Sequence, residues 1–425
     1  MFLKNLDLQK IDKKSCILVF DLSFQHEFLS LLKTLIDLGL SFGFGNKKVL
    51  ETIPYPFEEI LSHKIYSIKI KLKEQSILCF SSGTDNRPKA ILRSIKSWHN
   101  SFSIVKKILK NDLDAVGIFF GKLTHSLPLF SCLESLSRNQ LPILLPPLKI
   151  LSFFEIKSNS NFIIWSTPVH LHFIVDYFIK KKTTSKKNIR YVFIGGTSLT
   201  PQLKENIKEV FHNPLIYEFF GSSETSFISI KHPEDPIQRY SRVCDGVSVK
   251  ILNSAHQKLP SSKRGFLWIK SNQLFTRYLS KHKIKRLGSY ICIDDMGSRE
   301  KNGWIRFEGR SNEWITISGN NINISDLEIR IQKLLDLDEM ILLELSDRKK
   351  ENYLVLVIKQ QISNFIWSEW KCRIRNQFGS QCIPRLFHVF SHWPLLASGK
   401  LDRKKIKYEI QQSLYHCSEK KYRSP

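Results

Sequence analysis

The chain has 425 residues, 42% of them apolar, enough for two or more domains with their own cores. Basic residues exceed acids by 65 − 39 = 26, a balance that would suit nucleic acid, an anionic membrane face or an anionic substrate. The excess is scattered, with only short clusters such as Lys180 to Lys182 and Arg403 to Lys405, and the richness in Lys, Ile, Asn and Phe makes compositional drift the simpler source. Met1 to Lys14 mixes Asp7 and Asp12 with lysines and lacks the apolar core of a signal peptide. The longest apolar region, Leu141 to Phe154, is broken by prolines and Lys149 and is too short to span a bilayer. The eight cysteines form no C-x-x-C pair and no metal-ligand spacing. They suit small buried side chains in a reducing compartment, so a cytoplasmic protein is expected.

In chain order, Cys16 to Leu22 predicts a strand, and Glu27 to Leu38 a helix with Leu29, Leu32 and Ile36 on one side. Lys64 to Leu72 predicts another strand. An apolar run at Ile77 to Phe80 then drops into Ser81-Ser82-Gly83-Thr84-Asp85-Asn86-Arg87-Pro88-Lys89. Backbone N–H groups near Gly83, the hydroxyls of Ser81, Ser82 and Thr84, and the Lys89 ammonium would together suit a polyphosphate. The stretch is not a Walker A loop, and taken alone it is more simply read as a polar surface turn. Ser97 to Leu109 predicts a helix, Ala115 to Phe120 a buried strand, Thr124 to Pro128 a loop, Leu129 to Leu136 a helix and Leu141 to Leu145 a strand. Phe162 to Trp165, Val169 to Ile179 and Tyr191 to Ile194 continue as strand, helix, strand. This alternation predicts a layered α/β domain with parallel pairing.

Gly195-Gly196-Thr197 ends one of these strands, where paired glycines let a flat ligand lie on the backbone or simply make a tight turn. Pro201 suits the first turn of the next helix. In Phe219-Phe220-Gly221-Ser222-Ser223-Glu224-Thr225 the carboxylate of Glu224 suits a hard cation such as magnesium, or is a solvated loop acid or the first-turn acid of a helix. From Val243 the chain becomes rich in strands. Ile291 to Ile293 ends a strand in Asp294 and Asp295, and Asn302-Gly303 signals a hairpin turn. Gly309-Arg310-Ser311-Asn312 marks a domain boundary. Beyond it, Trp314 to Ile317 predicts a strand and Gly319-Asn320-Asn321 a turn. Ser325-x-x-Glu328 predicts a capping box, with Ile324 and Ile329 as its hydrophobic staple. Two more strands, Ile341 to Leu345 and Tyr353 to Ile358, and a helix over Ile366 to Phe378 complete a compact α+β unit ending in Ser398-Gly399-Lys400.

Taken together and in this order, these stretches resemble the signatures of the acyl-adenylate-forming (AMP-binding) superfamily. Phe80 to Ala90 resembles its phosphate loop, Gly195-Gly196-Thr197 its adenine-side turn, and Phe220 to Glu224 its Tyr-Gly-x-Ser/Thr-Glu motif. Gly265 to Tyr278 and Ile293 to Gly297 resemble its next two signatures, Gly309 to Glu328 its hinge, and Ser398-Gly399-Lys400 its terminal lysine loop. Within the superfamily the chain is most similar to acyl-CoA synthetases and o-succinylbenzoate–CoA ligase-like members.

The resemblance implies a large ATP- and acyl-binding domain over residues 1–310, shortened at its start, a hinge at 311–312 and a small mobile domain over 313–425. It implies adenylation of a fatty or aromatic acid, with ATP, magnesium and coenzyme A as partners, then transfer to a thiol. Ser81, Ser82, Gly83, Thr84 and Lys89 would face pyrophosphate, and Glu224 would hold magnesium. Gly195, Gly196, Thr197, Phe219, Phe220, Gly221, Ser222 and Ser223 would line the nucleotide. Asp295 and Arg310 would hold the ribose, His125 would gate the acyl group, Asn312 would hinge, and Lys400 would act in adenylation with Thr84 and Glu224. Departures stand beside the matches. Asp85-Asn86 replaces the commoner Thr-Gly, Phe220 the usual tyrosine, Asp294 a usual glycine and Thr316 a frequent lysine. An acyl carrier protein as acceptor, a non-catalytic binding or scaffold role and, from charge alone, nucleic-acid binding are the alternatives.

Overall fold

The computed structural model describes residues 12–13, 16–20, 28–45, 47–51, 53–61, 65–81, 89–145, 160–185, 187–196, 199–235, 240–317, 320–337, 340–346, 352–390, 392–394 and 401–422. The chain divides into two compact units, residues 1–293 with 297–307 and residues 294–296 with 308–425.

The first unit is layered. One seven-stranded sheet runs, edge to edge, Arg277–Tyr278, Lys89–Ser94, Ser76–Ser81, Phe42–Phe44, Cys16–Phe20, Ile65–Lys69 and Phe57–Leu61. A second runs Arg242–Val243, Ser226–Lys231, Leu215–Ser222, Asn188–Ile194, Asn161–Ser166, Val116–Phe120 and Ile143–Leu145. Its last five strands are all parallel, as the strand–helix alternation predicts. Because side chains alternate faces along a strand, Phe162 and Ile164 enter one core and Ile163 and Trp165 the other. The larger core lies between the two sheets and takes in Trp98 and Phe102 of helix Ile95–Leu109 and Phe130 and Leu133 of helix Ser126–Ser137. Helices Pro168–Lys180 and Pro201–Val210 cover the outer face of the second sheet. The first-turn proline at 201 is joined by a Thr200 side chain that accepts the Leu203 N–H, satisfying one of the orphan donors at the helix start. A third, five-stranded sheet contains Val247–Leu252, Gly265–Ser271, Lys285–Leu287 and Tyr290–Arg299.

In the second unit a hairpin of Trp314–Ile317 and Asn320–Asn323 precedes helix Ile324–Leu335. A three-stranded sheet of Met340–Ser346, Asn352–Ile358 and Leu386–Val389 follows. Helix Asn364–Phe378 supplies Trp367 and Trp370 to one face, and helix Arg403–Tyr422 supplies Ile406 and Ile410 to the other. The fold is thus a large α/β assembly with a smaller α+β region, the predicted class.

Four local expectations are corrected. The helix at 126 begins inside the predicted Thr124–Pro128 loop, with His125 as its N-cap residue. Strand Tyr290–Arg299 runs on through Asp294 and Asp295 rather than ending there. Asn320 and Asn321 lie in a strand, not a turn. The capping box at Ser325 does not form, because Asn323 is the cap and accepts the Asp326 N–H at 2.9 Å. Glu328 instead accepts the Leu342 N–H at 2.7 Å and pairs with Arg403 at 2.5 Å, while Ile329 is exposed and staples nothing. Among the described residues no helix is long and apolar enough to cross a membrane.

Candidate active site

Parallel strands expose the ends of their backbones at one carboxyl edge, where connecting loops collect and ligands bind in folds of this kind. Here that edge gathers the residues after Phe120, Ser166, Ile194 and Ser222. Gly195 follows Ile194 directly, its N–H donating to the Ser166 carbonyl at 3.2 Å. A Cβ at Gly195 would lie 2.3 Å from the tip of the Phe219 ring, so that ring packs against the glycine and no larger residue fits. Gly196 adopts φ +94, a conformation that side-chain-bearing residues rarely take. Thr197 lies outside the described residues.

The strand Leu215–Ser222 then turns back into Ser226–Lys231. Gly221 is forced by contact, since a Cβ there would fall 1.8 Å from the Ser226 carbonyl oxygen. The turn is tied by its own hydroxyls: Ser222 N–H donates to Thr225 Oγ1, and the N–H groups of Glu224 and Thr225 donate to Ser222 Oγ. Glu224 therefore belongs to a hairpin turn, neither a solvated loop acid nor a helix start, and is only 6% exposed. Its Oε1 accepts the Tyr278 hydroxyl at 2.7 Å and lies 4.0 Å from Lys89 Nζ. The Glu224 carbonyl also accepts the Phe275 N–H at 2.8 Å, so the segment before Tyr278 holds both the backbone and the carboxylate of this residue.

Lys89 and Ser81 face one another across the antiparallel pair that brackets the predicted phosphate loop. Ser82, Gly83 and Thr84 lie outside the described residues. Ser126, at the start of its helix, donates to Ser223 Oγ at 2.5 Å and contacts Cys79 Sγ at 3.6 Å, joining that helix to the Glu224 turn. Burial pushes the Cys79 thiol up to about 11, against the lowering effects of the Ser126 contact and of Arg93, and it is held as a packed neutral side chain. His125 is exposed, and its backbone carbonyl accepts the Leu129 N–H.

Arg93 has no motif to mark it, yet it organises the floor of this edge. It is 2% exposed, and its guanidinium donates to Ser97 Oγ and the Ser97 carbonyl, to Ser101 Oγ and to the Gln273 carbonyl at 3.2–3.3 Å. It also lies 4.1 Å from the centre of the Trp98 ring. Burial pulls its pKa down to about 10, with the Glu224 carboxylate acting the other way. By holding Gln273, it anchors the segment from which Phe275 and Tyr278 reach Glu224.

On the adjoining side Phe220 stacks on Phe307 with ring centres 4.3 Å apart. In the second unit Asp295 is 5% exposed and its Oδ1 lies 3.7 Å from Arg310 Nε. Asp294 before it has φ +64, which accounts for a glycine being usual at this point of the motif: Asp is one of the few other residues that tolerate the left-handed region. The backbone of Asn312 lies in a single 3₁₀ turn, Ser311–Glu313, and follows Gly309 at φ +92. Lys400 lies outside the described residues.

Among the described residues no group of three or more His, Cys, Asp or Glu side chains could hold a metal. The chemistry of Glu224 still fits magnesium, which keeps several waters and needs only one or two protein carboxylates beside substrate phosphates.

The AMP-binding enzyme family matches residues 41–279, more than half of the chain. The chain therefore belongs to this family and is an acyl-adenylate-forming enzyme of the AMP-binding superfamily. It is similar to VraA of Staphylococcus epidermidis, provisionally named a long chain fatty acid-CoA ligase, with 24% identity over 81% of this chain and 73% of that one. Bacillus subtilis YhfT, an uncharacterized acyl–CoA ligase, is 22% identical over 79% and 69%. Among solved structures, Bacillus subtilis O-succinylbenzoate coenzyme A synthetase in complex with ATP and magnesium superposes with a TM-score of 0.72, covering 92% of this chain and 88% of that one at 16% identity. Amide bond synthetase McbA of Marinactinospora thermotolerans shares the fold with a TM-score of 0.66 over 92% and 79%, at 15% identity.

Proposed function

We propose that the protein is an ATP-dependent carboxylate–CoA ligase. In the first half-reaction a carboxylate oxygen of an apolar acid attacks the α-phosphorus of ATP. The bond from that phosphorus to the bridging oxygen breaks, and pyrophosphate leaves with the electron pair. In the second, the thiolate of coenzyme A attacks the acyl carbon and AMP departs. The first step needs no acid–base pair from the protein, and the second needs only that the thiol give up its proton to solvent or to the departing AMP; both need charge neutralised in place and the reacting atoms held in line.

The observation that carries the reading is the grouping of Lys89, Glu224 and Tyr278 beside the hydroxyl turn Ser222–Ser223 at the carboxyl edge. Lys89 and Ser81, with Ser82, Gly83 and Thr84 of the loop they flank, take the pyrophosphate side. Glu224 holds magnesium, which when bound neutralises phosphate charge, and Tyr278 fixes the carboxylate that meets it. Gly195, Gly196 and Phe220 bound the adenine, Asp295 with Arg310 takes the ribose hydroxyls, and Lys400 stabilises charge as pyrophosphate leaves. The apolar surroundings of Phe219 and Phe220, with His125 at the helix start, take the acyl group. Residues 311–312 form a hinge between the large domain, 1–310, and the small one, 313–425, by which Lys400 is withdrawn for thiol transfer.

Carboxylate-dependent exchange of pyrophosphate into ATP across a panel of acids tests the first half-reaction; absence of exchange with every acid would sink the reading. Adding coenzyme A and measuring free thiol tests the second. Acyl-adenylate that accumulates without thiol loss would remove coenzyme A as acceptor and leave a carrier-bound thiol or an amine.

A further inference from the structure

We propose that Phe219 closes the acyl end of the site, so that the acid activated is compact, of butanoate or benzoate size, rather than a long-chain fatty acid. The inference rests on the adenylating reading given above and narrows its substrate.

On that reading the acyl group lies at the carboxyl edge, between the helix start at His125 and the glycine backbone at 195. Burying it among described residues would take it toward the layer between helix Ser126–Ser137 and the parallel sheet. The ring of Phe219 stands beside Gly195, so close that a Cβ there would come within 2.3 Å of it. Behind it the layer is filled. Phe219 meets Phe227 edge-on with ring centres 5.0 Å apart and Trp165 at 6.4 Å. Phe130 closes the circuit, 5.1 Å from Phe227 and 5.3 Å from Trp165. Trp165 is stacked in turn on Phe193 at 4.3 Å. Phe130, Trp165, Phe193 and Phe227 are each 6% exposed or less.

A chain bound beyond Phe219 must therefore displace rings packed on several sides, and interiors at crystal-like density do not yield such space cheaply. Methylenes that stay in water gain nothing, whereas each buried one would be worth about fourfold in affinity. The geometry thus rewards an acyl group that ends at Phe219, and a flat ring offers it a face or an edge. Glycine at 195 is part of the same device, because a side chain there would collide with the Phe219 ring.

The test is pyrophosphate exchange with butanoate, benzoate, octanoate, dodecanoate and hexadecanoate, on the full chain and on Phe219→Ala and Phe219→Leu. The wild type is expected to use butanoate or benzoate with kcat/KM about 100-fold or more above dodecanoate. Phe219→Ala is expected to shift the ratio toward the longer acids by about tenfold or more, with Phe219→Leu between the two. Wild-type turnover of dodecanoate or hexadecanoate as efficient as that of the compact acids overturns the inference and leaves the ligase reading intact. An unchanged ratio in folded variants, checked by thermal melting, overturns the role of Phe219. Failure of every acid with every variant defeats the ligase reading and this inference with it.

Discussion

Two neighbouring parts of one strand and its turn are built on opposite terms. At Phe219 and Phe220 the contacts are rings on rings and rings on a glycine backbone, non-directional and set by volume. From Ser222 to Thr225, a few residues on, the contacts are hydrogen bonds and charges, each depending on one atom. Deletions on the polar side should therefore be abrupt, and substitutions on the aromatic side should be graded by size. The polar side depends on remote segments, since Lys89, Arg93 and Tyr278 all come from the first sheet, whereas Phe219 packs against Trp165 and Phe227 of its own sheet and only Phe220 reaches another, at Phe307.

The largest effect is expected at Glu224. Glu224→Gln keeps the shape and loses the charge, and exchange activity should fall about 10²–10³-fold; near-wild-type exchange would show that this turn is not the site. Lys400→Ala should cost about 10²-fold in exchange while thioester formation from supplied acyl-adenylate continues. Equal loss in both half-reactions would assign that lysine a different task. Arg93→Met leaves four backbone and hydroxyl acceptor sites without their donor, so unfolding in urea should report a loss of about 2–3 kcal/mol. A variant as stable as the parent would mean that the Gln273 segment stands without it. Tyr278→Phe removes one hydroxyl from the carboxylate and should lower kcat/KM for ATP about tenfold, a smaller step than Glu224→Gln because Lys89 remains. Smallest is Asp294→Gly, which relieves a left-handed backbone and should alter stability by no more than about 1 kcal/mol, toward greater stability, in the same urea titration.

What the sequence makes legible is whatever repeats or lies close together. The strand–helix alternation from Val116 to Ser222 follows from apolar runs punctuated by glycine and proline. The glycines at 195 and 221 and the acid at 224 stand in short motifs. Tyr278 escapes as a partner of Glu224 because the bond spans 54 positions, and Arg93 escapes because nothing local marks a buried arginine among 65 basic residues. Asn323 rather than Ser325 caps its helix because Glu328, which the capping box requires, is drawn away to Arg403 and the Leu342 backbone. Local patterns name the candidates, and tertiary partners choose among them.

The bond from Arg93 to the Gln273 carbonyl joins positions 180 residues apart, and the edge strand Arg277–Tyr278 that covers Lys89–Ser94 comes from the same late segment. On the ribosome, the first sheet therefore waits for most of the large unit to emerge before its edge is covered and its inner cation is satisfied. Until then the nascent chain carries an open strand edge, the kind of surface that chaperones shield. A chain interrupted before residue 273 would lack the means to finish a sheet whose other strands were already made.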